Sequence, residues 1–148
     1  MTPQRIMLVD NEEGLCRMME AVLMDQGYQV KSYTRPVQAI AEFSAGDYQL
    51  IISDIKMPEM DGLTFLKEKQ DHQYGGTVIM MSAYGTIDTA VECMKQGAYD
   101  YISKPFRPDE ILLTVRKAEE RLQLRQENSQ LKKDIKRSSR PQGTEAIV

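Results

Sequence analysis

Along most of the chain, short unbroken apolar runs alternate with stretches whose apolar positions recur every three or four residues. Gln29–Tyr33, which alternates weakly, and the short Tyr99–Ile102 read as strands; the unbroken runs are Ile6–Val9, Leu50–Ile52 and Thr77–Met81. They are too short for helices and apolar at consecutive positions, which predicts strands buried on both faces, as in a parallel sheet. Leu15, Met18, Met19 and Val22 form the stripe of a first amphipathic helix, ended by Gly27. Thr34 as N-cap, with Pro36 close behind, opens a second helix carrying Val37, Ile40 and Ala41 and closed by Gly46. After the loop imposed by Pro58 and Gly62, a short third helix turns Leu63 and Leu66 inward. Thr86 caps a fourth with an inner stripe of Ile87, Ala90, Val91 and Met94, ending near Gly97. A last helix starts around Pro108 and meets no strong breaker until Pro141. Five strand–helix pairs predict an α/β fold, a parallel sheet with helices on both faces and right-handed crossovers.

The last helix carries two apolar registers. Ile111, Val115, Ala118 and Leu122 make a stripe that should pack on the sheet. Beyond it Leu124, Asn128, Leu131 and Ile135 follow a heptad seam, with 124 and 131 at d and 128 and 135 at a. Glu120 and Glu127 then fall at g, opposite Arg125 and Lys132 at e of a partner, as a parallel homodimer requires. The same pattern suits a single helix docking on another domain. Residues 1–122 therefore read as one domain, 123–140 as a coiled-coil-like helical extension, and 141–148, past the breaker Pro141, as a flexible segment.

Composition narrows the classes. The chain is 41% hydrophobic and 28% charged, enough apolar material for a core, and no stretch nears the roughly 20 apolar residues of a membrane span. Met1–Arg5 leads straight into a strand, so no secretory signal is expected. Cys16 and Cys93 lie far apart, and with one histidine, His72 in a polar turn, they make no metal-ligand spacing; two buried, reduced thiols in a cytoplasmic protein are expected. The net charge of −3 hides a balance of +5 over residues 116–140 against −8 elsewhere. An acidic globule with a basic helical tail argues against nucleic-acid binding by this fragment.

Candidate chemistry lies at the strand ends. Asp10 and Asn11 follow the first run, Asp54 ends the third, Ser82 the fourth, and Lys104 follows the fifth. A lone Asp at a strand end can be a nucleophile, a metal ligand or a loop cap. In a doubly wound sheet ordered 2-1-3-4-5, however, strands one, three, four and five are adjacent, and these residues would share the crevice at their carboxyl ends. Two carboxylates and a backbone carbonyl suit Mg²⁺, which keeps waters and few protein oxygens. A lysine and a hydroxyl complete a cage for a phosphoryl group, whose transfer needs positioning and charge neutralisation above all. Asp54 is then the nucleophile, forming an aspartyl-phosphate.

These residues resemble the receiver domain of two-component response regulators, over residues 5 to about 122. The likeness rests on Leu8-Val9-Asp10, on Ser53-Asp54-Ile55-Lys56-Met57-Pro58 with Asp61-Gly62, on Ser82-Ala83, and on Lys104-Pro105-Phe106. Tyr101 stands where the family carries a switch aromatic. The resemblance implies a flavodoxin-like (βα)5 fold with, here, an extended C-terminal helix. It implies Asp54 as phosphoacceptor for a sensor histidine kinase, Asp10 in the Mg²⁺ site, a Lys56 backbone carbonyl on the metal, and Lys104 as phosphate partner. It further implies a cis Lys104–Pro105 bond, shifts of Ser82 and inward movement of Tyr101 on phosphorylation, and Lys56 and Tyr84 beside the path of the attacking water. The stretch from Ser82 to Val91, with Gly97-Ala98-Tyr99-Asp100-Tyr101, is most similar to regulators of the nitrogen-regulatory type. Those place a receiver ahead of an ATPase acting on an alternative sigma factor and a DNA-binding domain. No Gly-x-x-x-x-Gly-Lys-Ser/Thr loop occurs in this chain, so the ATPase would lie outside it.

One position departs from the pattern. Receivers carry a second acid directly after Asp10, and this chain has Asn11. An amide oxygen still ligates Mg²⁺ with one charge fewer, which predicts weaker cation binding and slower phosphorylation. Haloacid-dehalogenase-type phosphatases also start from a strand-end Asp, but they need a second Asp two residues on, where Lys56 stands. A flavodoxin-like cofactor binder would share only the fold. The alternative left open is a degenerate receiver, a phosphorylation-independent dimerisation or interaction module.

Overall fold

Ten elements alternate along the chain: β1 (Arg5–Val9), α1 (Glu13–Asp25), β2 (Gln29–Tyr33), α2 (Pro36–Ala41), β3 (Leu50–Asp54), α3 (Gly62–Asp71), β4 (Thr77–Ser82), α4 (Ile87–Lys95), β5 (Asp100–Ser103) and α5 (Pro108–Ser139). The computed structural model describes residues 5–42, 48–57, 60–71, 76–82 and 87–139. The strands form one parallel sheet in the order β2-β1-β3-β4-β5, the doubly wound α/β arrangement expected.

Strand parity sorts the core into two layers. Met7, Val9, Ile51, Val78 and Met80 face α2, α3 and α4, where they meet Ala39, Phe65, Leu66 and Cys93. Ile6, Leu8, Leu50, Ile52, Ile79, Met81 and Ile102 face the other way, onto Met19 and Leu23 of α1 and Ile111, Val115 and Ala118 of α5. Continuous apolar runs arise because both faces of the central strands are covered.

Both α1 and α4 end in the same device. Gly27 has φ +93° and Gly97 φ +103°, the left-handed conformation that L side chains resist. At each end two amide groups fold back on the last turn: Gly27 and Tyr28 to Met24 and Leu23, and Gly97 and Ala98 to Met94 and Cys93. This is a Schellman cap, and it aims each chain into the next strand. Asp61 caps α3, its Oδ1 accepting from the Thr64 amide at 2.8 Å. Gly62 is thus the first helical residue rather than part of a preceding loop.

Several inward faces differ from expectation. On α1 the buried line is Cys16, Met19 and Leu23, with Leu15 and Met18 packed beside it. On α2 it is Pro36 and Ala39, while Val37 is 51% exposed. The α2 N-cap is Arg35, without a side-chain cap, so Thr34 does not serve, and the helix ends at Ala41. On α4 Cys93 is fully buried, whereas Val91 and Met94 are 45% and 47% exposed. In each case the helix is rolled about one position from the stripe drawn through its largest apolar residues, because its contact line is set by where it crosses the sheet. The Thr86 cap, the Gly46 stop, the loop placement of His72 and the role of Tyr84 lie outside the described residues.

Helix α5 packs through Ile111, Val115 and Ala118, all essentially inaccessible, with Leu122 against the same layer. By Leu124, 59% exposed, it has left the sheet. The helix continues to Ser139; the side chains of Asn128, Leu131 and Ile135 lie outside the described residues.

Candidate functional site

The carboxyl ends of β1, β3, β4 and β5 bring four of the expected residues together. Asp10, Asp54 and Ser82 are buried, at 1%, 6% and 4% exposure. The Lys104 ammonium donates to Asp10 Oδ2 at 2.7 Å and to Asp54 Oδ2 at 3.3 Å. Asp10 is held at the β1 tip because its amide bonds Tyr33 O at 3.1 Å and its Oδ1 accepts from the Glu12 amide at 2.9 Å. Asp54 Oδ1 accepts from the Lys56 amide at 3.3 Å, which leaves Oδ2 turned toward Lys104. The Lys104 amide bonds Ser82 O at 2.8 Å, tying the fifth loop to the fourth strand. The Lys104–Pro105 bond is cis, as the resemblance implies.

Two carboxylates against one ammonium leave the buried cluster one negative charge in excess. Burial first, and then the Asp10 charge, push the Asp54 pKa above the ordinary carboxylate value, outweighing Lys104 and the Lys56 amide. Burial alone would lower the Lys104 pKa, but bonding and charge from Asp10, then from Asp54, carry it above the usual lysine value. The two acids thus favour the charged form of the lysine, while burial and Asp10 favour the neutral form of Asp54. Asn11 lies exposed just beyond Asp10. Among the described residues no three His, Cys, Asp or Glu side chains group to hold a metal ion. Two hard carboxylates carrying unbalanced negative charge nevertheless fit a divalent cation that retains most of its waters.

Sequence patterns did not point to two further groups. The fully buried Ser53 donates its hydroxyl to Asp54 O at 3.1 Å, and the Cys16 thiol donates to Asp10 O at 3.4 Å. For Ser53 the sequence signals are its place in the Ser53–Pro58 motif and a polar residue at an apolar parity position of β3, neither of which predicts this bond. For Cys16 the sequence predicts only a buried thiol, and burial followed by the charge of Asp10 pushes its pKa up to about 11.

The family description "Response regulator receiver domain" matches residues 6–116. The chain belongs to the response regulator receiver family. Its relatives include the regulatory protein AtoC of Escherichia coli (strain K12), 39% identical over 114 residues, which covers 77% of this chain and 25% of AtoC. The C4-dicarboxylate transport transcriptional regulatory protein DctD of Rhizobium meliloti (strain 1021) is 34% identical over 134 residues, 90% of this chain and 29% of DctD. Among solved structures, the beryllofluoride-activated NtrC4 receiver domain dimer superposes with a TM-score of 0.74 at 31% identity, covering 77% of this chain and 94% of that one. This receiver thus spans under a third of the length of those curated relatives. Receivers are signalling domains and use Mg²⁺ in their phosphorylation. Among the described residues of this one, no helix is long and apolar enough to cross a membrane.

In this receiver Tyr101 packs half-buried beside the layer containing Cys93 and Ala98. Its hydroxyl is enclosed without a hydrogen-bond partner among the described residues.

Proposed function

We propose that this receiver accepts a phosphoryl group on Asp54 from the phosphohistidine of a sensor kinase. The observation that carries this reading is the Lys104 ammonium bridging Asp10 and Asp54 at buried, adjacent strand tips. A carboxylate oxygen of Asp54 attacks phosphorus, the P–N bond breaks, and the imidazole nitrogen keeps the bonding pair. Lys104 pairs with the oxygens of the incoming group as its hold on Asp54 loosens, and the Ser82 hydroxyl turns to bond the new phosphate. Asp10, Asn11, Asp54 and the Lys56 carbonyl would hold Mg²⁺, which supplies positive charge to the phosphoryl oxygens. Asn11 brings no charge to that set.

The phosphorylated form then biases a two-state element, the Ser82 and Tyr101 side chains under α4, and through it the α4–β5–α5 face. In the same reading residues 1–122 are the receiver, 123–140 a helical linker and 141–148 the approach to an output domain of the ATPase kind, with DNA binding further on. Leu124, Asn128, Leu131 and Ile135 form the seam of a homodimer, a reading carried by their heptad spacing; that the NtrC4 receiver is a dimer supports pairing of two receivers as such. The compartment is the cytoplasm, where the kinase's catalytic part would meet it.

Intact mass after incubation with acetyl phosphate, with and without Mg²⁺, tests the reading in the parent and in Asp54→Asn. One phosphoryl group is gained by the parent with Mg²⁺ and none by the variant. No gain by the parent at saturating Mg²⁺ overturns it in favour of a degenerate dimerisation module.

A further inference from the structure

Each of the two pocket carboxylates stands on main chain that is held from behind. Ser53 lies in register between Val9 of β1 and Met80 of β4, both in the apolar layer under α2–α4. A hydroxyl there costs free energy unless it is hydrogen-bonded, and a strand chosen for propensity and packing alone would carry valine. Its partners are Asp54 O at 3.1 Å and, at 4.0 Å, Met57 Sδ. This bond sits at the corner where β3 turns into the loop. At that same corner the Ile55 amide bonds Met81 O at 2.8 Å and the Lys56 amide reaches Asp54 Oδ1 at 3.3 Å. The peptide leaving Asp54 is therefore fixed on its carbonyl and amide sides together, and the carboxylate it carries has one oxygen tied and one aimed at Lys104.

Asp10 is treated alike. Cys16, one turn into α1 and 3% exposed, donates its thiol to Asp10 O at 3.4 Å, while the Asp10 amide bonds Tyr33 O at 3.1 Å. One acid is thus pinned from within its own strand and the other from the neighbouring helix, in both cases by a buried donor reaching the main-chain carbonyl. Neither donor belongs to the four residues at the strand ends.

We infer that Ser53 and Cys16 are positioning residues, which set the aim of Asp54 and Asp10 toward a divalent cation and a phosphoryl group by holding the carbonyls of those two residues. The inference rests on the proposed reading of Asp54 as phosphoacceptor. Neither side chain touches cation or phosphate; each acts through the acid beside it. Their worth lies in precision, since small misplacements at a phosphoryl-transfer site cost rate steeply.

The test uses the full chain with single-atom deletions, Ser53→Ala and Cys16→Ala, beside donor-retaining Ser53→Thr and Cys16→Ser. Mn²⁺ affinity is read by electron paramagnetic resonance and the rate of phosphoryl gain from acetyl phosphate by intact mass, with thermal midpoints as a control on folding. Each alanine variant should bind Mn²⁺ about tenfold more weakly and gain phosphate correspondingly more slowly, and the donor-retaining variants should return to within about twofold of the parent. Alanine variants with parental Mn²⁺ affinity overturn the inference, as do Thr and Ser variants no better than alanine. If the parent binds Mn²⁺ but gains no phosphoryl group, the proposed function falls, and the inference is still decided by the Mn²⁺ affinities. A parent that binds no Mn²⁺ overturns both.

Discussion

Asp54 shows how a single residue carries function at a cost to stability. Its pKa is raised by burial and by Asp10, so the folded state holds its proton more tightly than the unfolded chain does. Such a group weakens the fold at neutral pH, and the penalty disappears as the pH falls through the folded-state pKa toward 3.8, the ordinary value. Asp54→Asn removes the charge and keeps the shape. In urea titrations without divalent cation, the variant should exceed the parent by on the order of 1 kcal/mol at pH 7. That advantage should shrink toward zero near pH 4. Equal stability at pH 7 would show that Lys104, at 3.3 Å, fully offsets the repulsion.

At the scale of elements, α5 is fastened to α1 and to the approach to β5. The Tyr28 hydroxyl donates to Glu119 at 3.0 Å, Arg116 donates to Gln26 at 2.9 Å, and the Arg121 guanidinium lies 4.6 Å from the Tyr99 ring centre. Burial, with the Glu119 bond and charge behind it, pushes the Tyr28 pKa up to about 12. A phenol with a raised folded-state pKa stabilises fully below pH 10 and loses that contribution as the pH climbs through 12. Tyr28→Phe should cost about 1 kcal/mol at pH 7. By pH 11–12 the difference between parent and variant should narrow, as measured by urea unfolding; a constant difference would mean that Glu119 does not bond the phenol in solution.

For the whole molecule, the division of α5 matters most. Its first part is buried core, through Ile111, Val115 and Ala118, and by Leu124 it is exposed. Folding of the receiver and pairing of two copies should therefore separate. A chain ending at Gln123 should unfold within a few degrees of the full chain. By sedimentation the full chain should be a dimer and the shortened one a monomer, since the proposed seam begins at Leu124. A shortened chain that stays dimeric would place pairing on the receiver's own surface.

The element count and the polar residues at the strand ends were legible because they depend on local patterns, whereas the strand order is not encoded locally and was supposed from the doubly wound fold. A strand covered on both faces must be apolar at every position, and a chain leaving such a strand for a crevice needs polar and turn-forming residues there. Asp10, Asp54, Ser82 and Lys104 could thus be named from their positions alone. Tertiary structure alone decided which side of each helix meets the sheet, as the exposure of Val91 and Met94 and the burial of Cys93 show. Periodicity reports that a helix has an apolar side, while its roll follows from where it crosses the strands. Tertiary structure also decided that Lys104 closes on Asp10 across 94 residues of chain, and that Ser53 and Cys16 reach the carbonyls behind the acids. Each of those bonds depends on distances of a few tenths of an ångström set by the packing of the whole sheet, and no spacing along the chain encodes them.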